Sequence, residues 1–134
     1  MSAPYPAPAA PQPMTPADER MWSILTHIGG IFFGFVASLI TFLVFKDRGP
    51  FVREHTRTAL NFQLTVLVWA AGGFVVILIG IPLSVIGVGI PLLILAWLVL
   101  VGMSITMVVL SVIAAVAASK GQWYRYPMSI QFVR

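Results

Sequence analysis

Apolar positions fall in three long runs, residues 21–45, 60–81 and 92–118, separated by short segments that hold the charges or the prolines. The stretch from Thr58 to Ser119, which holds the second and third runs, is apolar all round and lacks the one-sided stripe by which a helix of a water-soluble domain buries one face and wets the other. The run 21–45 extends for 25 residues, and at ~1.5 Å per residue that exceeds a hydrocarbon core of ~30 Å. The pattern predicts an all-α membrane domain with three transmembrane helices.

The flanks carry start and stop signals. Thr15 can cap a helix, Pro16 fits its first turn, and Asp18 and Glu19 lie at the positive end of its dipole. Lys46-Asp47-Arg48-Gly49-Pro50 ends the first run in charge and a turn. Residues 51–63 (FVREHTRTALNFQ) mix aromatic and charged positions and predict a short interfacial helix leading into the second span. Residues 82–91 (PLSVIGVGIP) are bounded by prolines and contain Gly87 and Gly89, so they should break the helix without adding a charge. A fourth crossing would need a further hairpin inside 92–118, where Gly102 alone offers a break. After Lys120-Gly121, Trp123, Tyr124 and Tyr126 read as an aromatic girdle, and the alternation of Met128, Ile130 and Phe132 as a short interfacial strand. Residues 1–15, rich in Pro and Ala, predict a disordered tail ahead of a membrane domain over 16–134.

Composition agrees. Hydrophobic residues make up 59% and charged residues 9%, against ~45–50% and ~25% in soluble domains. From Thr58 to Ser119 there is no Asp, Glu, Lys, Arg or His. The net charge of +4 comes from basic residues just outside apolar runs, which is the placement of topology determinants and not of a nucleic-acid face. There is no Cys, and no cleavable leader is visible. Lys46, Arg48, Arg53 and Arg57 after the first run, with Lys120, Arg125 and Arg134 at the end, place the first loop and C-terminus in the cytoplasm; three spans then put the N-terminus outside.

Few residues carry chemistry. Thr26, Gly30, Gly34 and Ser38 recur every four positions, a small-residue ridge suited to packing within the bundle or against a second copy or partner. Alanines 114, 115, 117 and 118 give the last helix a similar surface. His27 flanks the ridge, and an ionisable group at membrane depth is a candidate functional residue. It reads either as a neutral, hydrogen-bonded packing residue or as part of a relay, with Asn61 and Gln63 as candidate partners. Glu54-His55 lacks the second histidine of a zinc-protease helix. No metal or cofactor site is expected, and no nucleophile elbow, phosphate loop or carboxylate pair supports an enzyme. Arg53 and Arg57, one helical turn apart, are candidates for lipid phosphates.

Three stretches, residues 19–27 (ERMWSILTH), 51–63 and 120–127 (KGQWYRYP), resemble the DUF4870 family of small bacterial membrane proteins. That family takes in the magnetosome proteins MamF and MmsF and is distantly Tic20-like. The resemblance covers about residues 17–134. It implies a multi-span protein of the bacterial inner membrane, and makes His27, His55, Asn61, Gln63, Tyr126 and Pro127 the positions to probe. The expected role is structural or scaffolding, with the lipid bilayer and a homo-oligomer or membrane-protein partner as its contacts. A small transporter, channel or protein-translocation component is the alternative, resting on His27, Asn61, Gln63 and the Gly-rich break.

Overall fold

A computed structural model describes residues 4–134; the first three residues of the Pro-rich tail lie outside it. Four α-helices follow in order, α1 Pro16–Phe33, α2 Phe35–Phe45, α3 Pro50–Leu83 and α4 Gly89–Ser119, with a single 3-10 turn at Ser84–Ile86 between the last two. No strand occurs among the described residues, so the tail at 128–132 is irregular backbone and not the interfacial strand its alternation predicts.

The largest departure from the sequence reading lies in residues 21–45. The apolar run predicts one continuous, tilted span, but Gly34 divides it into two helices that fold back on each other. Gly34 has φ 60° and ψ −144°, a conformation open to glycine and strained for other residues. Its amide closes α1 on the Gly30 carbonyl at 3.0 Å. The antiparallel return is plain at both ends of the arms. A Cβ on Gly29 would sit 3.3 Å from the Ala37 side chain. At the open end, the Trp22 and Phe45 rings lie 4.6 Å apart. The Met14 amide donates to the Arg48 carbonyl at 2.7 Å, and Arg48 Nε donates to the Gln12 carbonyl at 3.0 Å. The N-terminal flank and the first loop therefore share one end of the molecule, which corrects the expectation that they lie on opposite sides. With its 11 residues, α2 is about 16 Å long, roughly half a hydrocarbon core. The α1–α2 pair is a helical hairpin with Gly34 at its tip.

Two helices are long and apolar enough to cross a membrane, residues Pro50–Ile86 and Gly89–Ser119. They contain the runs 60–81 and 92–118. Between them Gly87, at φ 82°, makes the turn, and Pro91 falls in the first turn of α4, where its missing amide costs no helical bond. Gly89 is held against the Gly80 carbonyl. A separate interfacial helix over 51–63 is not formed. Nothing in that stretch breaks a helix, and α3 runs through it unbroken.

Burial divides α3 into halves. From Val52 to Thr65 most side chains are buried by α1, α2, α4 and the C-terminal tail, whereas beyond Val66 the helix packs along α4 and exposes Leu67, Trp69, Phe74 and Leu78. The molecule is thus a packed helical bundle at its charged end, extended by a bare apolar α3–α4 hairpin. The small-residue ridge is divided accordingly. Thr26 and Gly30 are buried on α1, Gly34 is the turn, and Ser38 is buried on the returning arm. Gly30 admits the Gln63 side chain, whose Nε2 would be 2.7 Å from a Cβ there.

Candidate functional site

The buried end of α3 collects the polar residues. His27, one turn before Gly30 on α1, and His55, in the second turn of α3, face each other with His27 Nε2 2.9 Å from His55 Nδ1. The other nitrogen of His27, Nδ1, lies 2.7 Å from the Tyr126 hydroxyl, and His55 Nε2 lies 3.0 Å from the Gln122 carbonyl. Both histidines are almost fully buried.

The direction of this chain follows from its last member. A carbonyl oxygen only accepts, so His55 Nε2–H donates to Gln122. With one proton per ring, His55 Nδ1 then accepts from His27 Nε2–H, and His27 Nδ1 accepts from the Tyr126 O–H. Four groups from α1, α3 and the C-terminal tail are joined with every imidazole nitrogen used. His27 thus pairs with His55 and Tyr126, and not with Asn61 or Gln63.

Tyr126 is held on its other sides by aromatic packing. Its ring stacks on Phe62 at 4.0 Å and 8°, and Tyr124 meets it edge-on at 5.1 Å. Burial pushes its phenol well above the usual tyrosine range; the Ser111 hydroxyl beside it opposes the shift and Tyr124 adds to it. The phenol therefore stays a proton donor. Ser38 Oγ is buried and lacks a hydrogen-bond partner among the described residues.

Asn61 performs a separate task. Its Nδ2 donates to the Val133 carbonyl at 2.8 Å and its Oδ1 accepts the Val133 amide at 2.7 Å, a two-way pairing that imitates a strand neighbour. One turn on, Thr65 Oγ1 accepts the Ile130 amide at 2.9 Å. The tail is thereby sewn along α3. Gln63 points elsewhere, into the gap left by Gly30. Pro127 is exposed beside Tyr126.

Glu19, read from sequence as a partner for the dipole of its own helix, also serves another. Its buried carboxylate accepts the Val52 amide at 2.9 Å and so caps the start of α3. Arg57 is engaged by Glu54 in an ion pair at 2.6 Å, while Arg53 is exposed. No cluster of three or more His, Cys, Asp or Glu side chains placed to hold a metal occurs among the described residues.

An all-helical chain with two membrane-length apolar helices, and with its buried polar groups gathered at one end, is a membrane-associated helical protein. The chain belongs to the magnetosome magnetite crystal formation protein family, which it matches over residues 18–133. No curated protein and no solved structure matches it.

Proposed function

We propose that this chain is a non-enzymatic membrane scaffold that presents a rigid polar end to a second copy or to another membrane protein. The observation that carries this reading is the closure of the site. His27, His55, Tyr126 and the Gln122 carbonyl satisfy one another inside the bundle, and Asn61 and Thr65 are used up in holding the tail. Polar groups spent in this way fix a shape. The apolar α3–α4 hairpin supplies the anchor.

Membership of a family described by magnetosome magnetite crystal formation supports a scaffold working in a membrane where that mineral forms. The first loop supports a contact with partners more than one with mineral, because Asp47 and Glu54 are outnumbered by Lys46, Arg48, Arg53 and Arg57, and Glu54 is paired. By the charge rule, the basic end faces the cytoplasm of the cell or the equivalent side of an internal membrane. Crosslinking in native membranes tests the proposal: a dimer or a defined heterologous adduct is expected, and a chain trapped only as monomer would count against it.

The second reading, a small transporter or translocation component, draws on the directed imidazole–phenol chain. It requires flux through vesicles reconstituted with the protein, abolished in His27→Gln. A scaffold predicts no flux in either form.

A further inference from the structure

Beside the first loop lies an open depression of about 720 Å³ whose charged lining is Lys46, Arg48, Arg53 and Arg57 with Asp47 and Glu54, and whose wall includes Trp123. Two of the four cations are partly committed. Arg57 is neutralised by Glu54, and Arg48 Nε is bonded to the Gln12 carbonyl while its guanidinium carbon stands 6.0 Å over the Phe45 ring. Among the described residues Lys46 and Arg53 form no ion pair. Asp47 offsets one charge, so the lining keeps an excess of two positive charges.

The place of this depression in the molecule decides what it suits. Leu43 and Val44, just before Lys46, are exposed apolar side chains at the end of α2, and Trp123 is 62% exposed on the facing wall. Exposed apolar groups directly beside a basic hollow mark the level at which acyl chains give way to headgroups. A soluble anion would meet the charges but leave this apolar border unused. The start of α3 also opens here, but buried Glu19 already takes its Val52 amide, so attraction comes from the side chains and not from the helix end.

We propose that this depression is a binding site for the phosphate headgroup of an anionic lipid, with Lys46 and Arg53 as its principal ligands and Trp123 against the glycerol region. The inference stands independently of the scaffold reading.

Native mass spectrometry of the detergent-purified protein tests it, with phosphatidylglycerol and phosphatidylcholine as probes. One phosphatidylglycerol should be retained in preference to phosphatidylcholine. At about 1 kcal/mol per basic contact, Lys46→Gln or Arg53→Gln should each weaken binding roughly 5-fold, and the pair roughly 30-fold. Arg53→Lys should keep most of the affinity. Lys120→Gln with Arg134→Gln, which removes the same charge elsewhere, should leave it intact. An unchanged melting midpoint shows that the Lys46/Arg53 pair variant is folded; were it not, each single variant carries the same prediction. Equal retention of the two lipids would overturn the proposal, as would equal loss in both double variants. Displacement of the lipid by millimolar inorganic phosphate would show a free-anion site and overturn it too.

Discussion

Tyr126 shows most directly how one atom acts on the assembly. Its O–H is the donor that closes the imidazole chain at His27 Nδ1. Tyr126→Phe keeps the stack on Phe62 but leaves a buried acceptor without a partner, at a cost of about 1–3 kcal/mol. Thermal unfolding in detergent should report that loss, and an unchanged midpoint would mean that the bond contributes nothing. His27→Ala should cost more than His27→Gln, since Gln keeps an acceptor and a donor on a side chain of similar reach. Glu19 and Gly49 form a second pair. A Cβ at residue 49 would intrude on the Glu19 carboxylate, so Gly49→Ala should displace the cap from Val52, and Glu19→Ala should cost about 1 kcal/mol. The double variant should lose less than the two single losses together, because removing the carboxylate removes the obstacle. Simple additivity would refute the contact. Of these residues the sequence singled out His27 and, through the family resemblance, Tyr126, and it placed Glu19 near a helix start. Their pairings were hidden, because Tyr126, Gln122 and Val52 are brought near only by the packing of separate segments.

At the scale of elements, Gly34 decides between one helix and two. Nothing lies within 4 Å of a Cβ built there, so the cost of a side chain is backbone strain alone. Gly34→Ala should lose about 1–3 kcal/mol for that conformation. Gly102→Ala makes the matched control, since that glycine is helical, faces open space and has no positive φ. Its melting midpoint should hold or rise. If the two variants behave alike, the sharp turn at Gly34 is wrong. The periodic placement of Gly30, Gly34 and Ser38 suggested a ridge along one face, a fair reading of a straight helix. A single positive φ converts the same spacing into a hairpin tip. The Thr15 cap needed only local geometry: its hydroxyl accepts the Asp18 amide at 3.2 Å, as its place before Pro16 suggested.

For the whole molecule, the charges sort to one end. Asp18, Glu19 and Arg20 start α1, Lys46 to Arg57 surround the first loop and the start of α3, and Lys120, Arg125 and Arg134 follow α4. The far turn at residues 84–88 carries none. Because the chain has no cysteine, single replacements can report sidedness without a background. Thr15→Cys, Asp47→Cys and Lys120→Cys should all react with an impermeant maleimide from the same side of sealed vesicles, and Val88→Cys only from the other. Labelling of residue 15 from the side opposite to residue 47 would restore a straight first span. What the sequence determined by itself was the solvent: a long uncharged stretch cannot be wetted without loss, whatever its fold, so α3 and α4 were legible as apolar helices. Which end each segment occupies, and which polar groups meet, depended on distances between residues remote in the chain. Only the folded arrangement decided these. A hydrogen bond such as His27 to Tyr126 leaves no periodic trace along the chain, and a reversal set by one glycine looks, in composition, like an uninterrupted helix.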